Sequence, residues 1–103
     1  MYVLVYSTAG DKEEAKRIAR KLVEEGLAAC VNVWPIESVY EWEGEIEEDE
    51  EVALLVKTTA EKAGEVVERI VELHSYDVPA VLVVPVLGGH EEFLKWVREQ
   101  TAP

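Results

Sequence analysis

The 103-residue sequence has one cysteine, two histidines and 10 basic residues against 22 acidic ones. A lone cysteine, Cys30, forms no disulfide within the chain and holds no iron–sulfur cluster, so we expect a reducing compartment, the cytoplasm. The net charge of −12 provides no source for the phosphate neutralisation that drives nucleic-acid binding. We therefore expect neither DNA nor RNA as a partner.

Long apolar segments and catalytic motifs are also missing. Runs such as Leu27 to Val31 cover about a quarter of the roughly 20 residues that a membrane-spanning helix needs, and Met1 leads directly into a strand-like segment. We expect no membrane span and no signal peptide. The sequence contains no G-x-S-x-G elbow, Walker loop or C-x-x-C pair, so we expect no enzymatic activity.

The acidic residues are concentrated in one segment. From Glu41 to Glu51, eight of eleven residues are Glu or Asp and none is basic. The segment lacks the glycine-centred spacing of a Ca²⁺ loop. We interpret it as a solvated hairpin that resists edge-to-edge aggregation by repulsion and attracts cations weakly and without selectivity.

Hydrophobic residues make up 49% of the chain, enough for one core and one domain over residues 1–103. Their periodicity predicts strands and helices in the order βαββαβ, followed by a short terminal helix. Asp11 and Glu14 form a capping box at the start of the first helix, and Gly26 ends it. The other predicted elements are the strands 2–8, 27–42, 45–59 and 80–87, a second helix that Thr58 or Thr59 could cap, and a terminal helix that begins at His90.

The two central strands are predicted to form one long β-hairpin around the turn signal Glu43-Gly44, with a loop of two or three residues. Pro35 interrupts the first arm, and because proline cannot donate to a sheet ladder, it should lie on an edge strand or at a bulge. The far half of the hairpin is expected to project from the domain. The later run from Ala80 to Leu87 is dense enough in valine to be a strand that is covered on both faces or paired centrally.

This order of elements is the plan of an α+β, ferredoxin-like sandwich, in which two helices pack on one face of a four-stranded antiparallel sheet. The opposite face would be uncovered and would expose Trp34, Tyr40 and Trp42. An exposed apolar patch on a small domain usually marks an interface. We therefore expect a homo-oligomer with these three aromatic residues at its interface.

Five motifs resemble the CutA divalent-cation tolerance family over essentially the whole chain. They are LAACVN at 27–32, SVYEWEG at 38–44, KTT at 57–59, HSYDVP at 74–79 and FLKW at 93–96. The resemblance implies a cytoplasmic, ferredoxin-like homotrimer whose long hairpins bind neighbouring subunits, an architecture shared with the PII signalling proteins. It also implies tolerance to copper and other divalent metals, with no established enzymatic reaction.

The metal ligands that the resemblance implies are incomplete here. Ser7 stands where some relatives carry a cysteine regarded as a copper ligand, and Leu73 stands where a second histidine can occur, whereas His74 matches a family histidine. Cys30 could supply a thiolate, or it could be a small buried residue within an apolar run. We expect Cu(II) or another divalent cation to bind weakly, with His74 a better candidate ligand than Cys30.

Lys57 lies in an otherwise apolar arm, where a lone ammonium is costly unless it is paired. Asp77 and Glu51 are its candidate partners, and with Tyr76 they predict a cleft between subunits. Such a cleft could bind a small anion, or it could be an interface network of ion pairs. The leading hypothesis is a non-catalytic, trimeric metal-tolerance protein. The alternatives are a PII-like regulatory trimer that binds a small anionic metabolite in this cleft, and a purely structural oligomer.

Overall fold

The computed structural model describes all 103 residues, which form three α-helices and one four-stranded sheet. The elements, in chain order, are β1 (Tyr2–Ala9), α1 (Lys12–Glu24), β2 (Cys30–Trp42), β3 (Glu45–Thr59), a 3-10 turn (Ala60–Lys62), α2 (Ala63–Leu73), β4 (Val81–Val86) and α3 (Glu91–Gln100). The predicted α+β class and the predicted order of strands and helices are confirmed. None of the helices is long and apolar enough to cross a membrane.

The sheet has the strand order β2-β3-β1-β4, and every neighbouring pair is antiparallel. Side chains of a strand alternate between the two faces, so Val3 and Val5 of β1 point to the face that α1 and α2 cover. The fully buried side chains of this core come from β1, β3 and both helices: Val5, Leu54, Val56, Ile18, Leu22, Val66 and Ile70. Apolar burial on this one face holds the helices to the sheet.

The start of α1 follows the predicted cap with one difference. The Asp11 carboxylate accepts the Glu14 N–H at 2.8 Å, and Gly26, with a φ of +72°, lies just beyond the helix end. In a standard capping box the Glu14 carboxylate would accept the N–H of Asp11. Here it accepts the Gly10 N–H at 3.4 Å, and its second oxygen is free for a distant contact.

The hairpin loop has two residues. Glu43 and Gly44 have φ values of +50° and +83°, the left-handed conformation that a two-residue type I′ turn requires at both positions. Trp42 therefore lies directly opposite Glu45, and the ladder continues without a bulge to the start of β2. The turn thus determines the register of the whole hairpin.

Pro35 lies on an edge strand, as one of the two predicted alternatives requires. It pairs with Val52, and the register around it is regular, so no bulge is present. β1 pairs with β3 only as far as Val52, which leaves residues 45–51 of β3 paired with β2 alone. The hairpin projects beyond this point, and the molecule measures 45 × 25 × 21 Å.

Two local expectations are wrong. β4 is an edge strand of the sheet rather than a central one, and its Leu82 side chain is 61% exposed. A dense valine run indicates an extended apolar segment, but its position in the sheet depends on which strands pair. Neither threonine caps α2: Thr58 Oγ1 donates to the Leu27 carbonyl at 2.7 Å, and Thr59 makes no side-chain capping bond.

The sheet face opposite α1 and α2, which we call the open face, carries large exposed side chains. They include Trp34, Tyr40 and Trp42 of β2 and Leu82 and Val84 of β4. α3 contacts the end of β1 through Arg98, whose Nε donates to Tyr2 Oη at 3.2 Å and whose guanidinium lies 5.3 Å from the Tyr2 ring centroid. The terminal helix therefore leaves the aromatic part of the open face uncovered.

Candidate functional site

A groove of about 710 Å³ lies along the hairpin where it meets the loop between α2 and β4. Its lining, which we call the Tyr–acid groove, consists of Thr8, Tyr40, Trp42, Glu51, Tyr76, Asp77, Val78 and Ala80. The volume is within the range of small-ligand sites, about 300 to 1,000 Å³. Two carboxylates and no basic side chain line the groove, so its electrostatic potential attracts cations.

The strand register places the hairpin residues of the groove on one face. Glu51 lies opposite Ile36, and Tyr40 follows four positions along β2, so both side chains lie on the open face. Tyr40 Oη donates to Asp49 Oδ2. From the facing loop, Tyr76 Oη donates to Glu51 Oε2 at 2.8 Å. A carboxylate of the hairpin therefore orients each phenol.

Polar contacts at both ends hold the α2–β4 loop against the sheet. His74 Nε2 lies 2.6 Å from the Thr8 carbonyl oxygen, and because a carbonyl only accepts, Nε2 carries the proton. His74 Nδ1 accepts the Tyr76 N–H at 3.1 Å. At the other end, Ser7 Oγ, fully buried, donates to the Ala80 carbonyl at 2.7 Å. Ser7 and His74 thus position the loop that supplies half of the groove.

Glu14 ties α1 to the same loop. Its carboxylate accepts the Ser75 N–H at 2.7 Å and lies 3.6 Å from His74 Nδ1. Burial alone would raise the pKa of Glu14, but hydrogen bonds from Ser75 and Gly10 outweigh burial and lower the pKa below its ordinary value of 4.5. The sequence patterns predict only a helix-capping role for Glu14. Because Ser75 is 61 positions away along the chain, no local sequence pattern indicates this contact.

The two phenols of the groove resist ionisation. Burial and then the hydrogen bond to Glu51 raise the pKa of Tyr76 well above its ordinary value of 10.0. The hydrogen bond to Asp49 raises the pKa of Tyr40 to about 12. At neutral pH both groups are therefore hydrogen-bond donors, and neither supplies an anionic oxygen ligand or a nucleophile.

The structure does not bring His74 and Cys30 together. Both His74 nitrogens are hydrogen-bonded and its side chain is 0% exposed, so it lacks the free lone pair that the predicted ligand role requires. Cys30 is half-buried. It pairs with Lys57, which in turn pairs with Leu4, so Cys30 lies about 13 Å along the strand direction from Thr8, the residue that His74 contacts. No three His, Cys, Asp or Glu side chains are grouped to hold a metal ion.

Lys57 lies outside the Tyr–acid groove of its own chain. It is six residues from Glu51 along the extended β3, a separation of about 20 Å. Its ammonium donates to Asn32 Oδ1, which the sequence patterns did not identify as a partner. Within one chain no ion pair joins Lys57 to Glu51 or Asp77, and the pairing across a cleft between subunits stays a prediction. Glu51, Tyr76 and Asp77 line one groove.

The three aromatic residues predicted for the trimer interface are exposed in the single chain. Trp34 is 39%, Tyr40 41% and Trp42 62% exposed. Tyr40 and Trp42 also line the Tyr–acid groove. Any partner that covers the open face would therefore border the groove as well, and the interface role of the three residues stays a prediction.

Comparisons with known sequences cover nearly the whole chain. The family model described as CutA1 divalent ion tolerance protein matches residues 3–100. The divalent-cation tolerance protein CutA of Archaeoglobus fulgidus is 46% identical over 99 residues, which are 96% of this chain and 97% of that protein. The CutA protein of Thermus thermophilus is 46% identical over 102 residues, or 98% and 99% of the two chains.

Solved structures agree with the sequence matches. The structure of the periplasmic divalent cation tolerance protein CutA from Archaeoglobus fulgidus has a TM-score of 0.96 to this chain and 46% identity, and the match covers 98% of this chain and 99% of that one. The divalent cation tolerance protein from Thermus thermophilus has a TM-score of 0.94 at 46% identity, with 99% and 100% covered. The chain therefore belongs to the CutA divalent-cation tolerance family.

Proposed function

We propose that this chain is a non-catalytic divalent-cation tolerance protein that binds Cu(II) and other divalent cations weakly through oxygen donors of the Tyr–acid groove. The observation that carries the proposal is the lining of the groove, which includes the carboxylates of Glu51 and Asp77 and no lysine or arginine. Carboxylate oxygens accept most divalent cations, and a given oxygen or nitrogen site holds Cu(II) most tightly among the first-row ions. Copper is therefore the expected first choice.

The binding is weak because few donors converge. Tight sites use about three or four well-placed ligands, whereas one chain offers the carboxylates of Glu51 and Asp77 in the groove. Glu51 already accepts the hydrogen bond of Tyr76, so a cation competes for that oxygen. Three-fold symmetry could bring further donors from neighbouring copies.

We further propose that the chain acts as a homotrimer held by strand addition between copies. Three strand edges lack a partner in the single chain: the outer edge of β2, residues 45–51 of β3 on the side facing away from β2, and the outer edge of β4. Apolar side chains such as Leu82 lie exposed beside the last of these edges. Unpaired edges invite pairing with another copy, and a head-to-tail contact closes into a ring when the rotation permits.

The alternative, a PII-like regulatory trimer that binds a small anionic metabolite, has less support. An anion needs basic side chains in the cleft, and Lys57 donates to Asn32 about 20 Å away from Glu51 along β3. A neighbouring copy would have to supply the positive charge. If the purified protein binds a nucleotide more tightly than Cu(II), this alternative is favoured.

We propose the cytoplasm as the compartment. The only cysteine, Cys30, is a free thiol, which suits a reducing environment. One solved relative, from Archaeoglobus fulgidus, is described as periplasmic. Fractionation of source cells is expected to recover the protein with cytoplasmic markers, and recovery from an exported fraction would contradict the proposal.

Calorimetric titration with Cu(II), Zn(II) and Mg(II) tests the cation proposal. Glu51→Gln and Asp77→Asn are each expected to weaken Cu(II) binding severalfold, because each removes one of few donors. Glu68→Gln, an equal charge change on the exposed side of α2, is the matched control and should leave the affinity unchanged. Loss of binding in His74→Gln with none in Glu51→Gln would move the site to the histidine.

A further inference from the structure

A second groove lies on the helix side of the molecule, between α1 and β2, and has a volume of about 630 Å³. Its lining, which we call the basic groove, consists of Lys12, Lys16, Ala19, Arg20, Val23, Glu24, Val31 and Val33. Lys12, Lys16 and Arg20 recur every four positions. This spacing places them in one row of about 12 Å along the helix.

The three cations of the row have no partner within the chain. The ion pairs of the structure involve Arg17, Arg69 and His74. The basic side chains that donate hydrogen bonds are Arg17, Lys57, Arg69 and Arg98. In a chain with 22 acidic residues, partners for a surface cation are abundant. A row of like charges left unpaired is mildly destabilising, and it leaves three cations available to an anion outside the chain.

The floor of the basic groove is aliphatic. Val23 is 45% exposed, and Ala19, Val31 and Val33 are half-buried against the core. No aromatic side chain lines the groove, so it offers no platform on which a nucleobase could stack. Glu24 lies at the C-terminal end of α1, and its carboxylate directs an anionic group toward the other end.

We propose that the basic groove binds a soluble anion with an aliphatic chain, such as an alkyl phosphate or a fatty carboxylate. The anionic head pairs with the row of Lys12, Lys16 and Arg20, and the chain lies on the valine floor. A metal ion is repelled by the row, and a bare phosphate gains nothing from the floor. This site is separate from the Tyr–acid groove, which attracts cations on the open face.

Titration of the protein in its solution assembly with octyl phosphate, followed by methyl NMR, tests the proposal. Saturable shifts are expected at Ala19, Val31 and Val33. Lys16→Gln and Arg20→Gln are each expected to weaken binding about threefold, as exposed ion pairs do. Lys21→Gln, on the same helix but outside the groove lining, is the matched control and should leave binding unchanged.

Because the protein has a net charge of −12, a cationic and an anionic probe with the same alkyl chain distinguish nonspecific attraction from binding in the basic groove. Nonspecific attraction to this molecule favours octyltrimethylammonium, whereas the basic groove favours octyl phosphate. Inorganic phosphate is expected to bind at least about ten times more weakly than octyl phosphate, because it lacks the chain. The proposal is overturned by the absence of saturable octyl phosphate binding, by equal weakening in Lys21→Gln, by equal shifts with the ammonium probe, or by binding to phosphatidylglycerol vesicles alone.

Discussion

The helix-covered half of the sheet and the projecting hairpin share strands but are stabilised differently. β3 runs through both: Leu54 and Val56 are fully buried under the helices, whereas residues 45–51 carry six acidic side chains out of seven and pair only with β2. Glu37 even lies directly opposite Glu50, a pairing of like charges that weakens the ladder. A two-stranded ribbon is marginal in water by itself. Beyond its contact with Tyr76, the projecting hairpin therefore lacks the apolar packing that stabilises the helix-covered half, and the proposed homotrimer would supply a second surface for it.

The largest expected contrast between the two regions is in stability. Leu54→Ala should lower the free energy of unfolding by about 3 kcal/mol, because it leaves a cavity in a fully buried site. Ile46→Ala, near the hairpin tip where the side chain is 69% exposed, should change it by less than about 0.5 kcal/mol. Urea unfolding of both variants measures the difference. Similar losses would show that the tip contributes to the core.

Self-association should depend on the projecting hairpin more than on the helix-covered half. Trp42→Ala removes a 62% exposed indole from the hairpin and should weaken self-association by at least about tenfold, as loss of an aromatic anchor does. Trp96→Ala, on α3, is the matched control and should have a smaller effect. Sedimentation equilibrium at micromolar concentration decides between them. A stable monomer in the unmodified protein would contradict the proposed trimer.

A smaller effect on stability is expected where α1 contacts the α2–β4 loop. Glu14→Gln should cost about 1 kcal/mol at pH 7, because the Ser75 N–H then bonds a neutral acceptor. The pKa of Glu14 is lowered in the folded chain, so its contribution is present above the unfolded value near 4.5 and is lost as pH falls through the folded value. The difference in the free energy of unfolding between the unmodified protein and the variant should disappear below about pH 4.5. A difference in the free energy of unfolding that grows as the pH falls would contradict this prediction.

The smallest expected effect is that of metal removal. Because the core is apolar and no group of metal-binding side chains crosses it, a chelator should shift the melting temperature by less than about 1 °C. Calorimetry with and without the chelator measures this shift. A drop of many degrees would mean that a cation joins the copies or holds the hairpin.

The candidate site was partly predictable from sequence. The sequence predicts Glu51, Tyr76 and Asp77 in one cleft between subunits, and in the single chain these three residues line one groove. The sequence also predicts Lys57 at this cleft, across a subunit boundary, because a lone ammonium in an apolar arm needs a partner. In the single chain its ammonium donates to Asn32, and the pairing across a boundary stays a prediction. The rule that an ammonium in an apolar setting needs a polar partner does not say which polar group lies within reach.

The sequence by itself determined the local features of this protein. Asp11 and Gly26 delimit α1, and Glu43-Gly44 turns the hairpin, because each signal acts through hydrogen bonds or backbone angles within a few residues. The tertiary structure alone decided that β4 is an edge strand and that His74 donates to Thr8, 66 positions away. Such contacts depend on strand order and on the faces that packing brings together, and no short stretch of sequence contains that information.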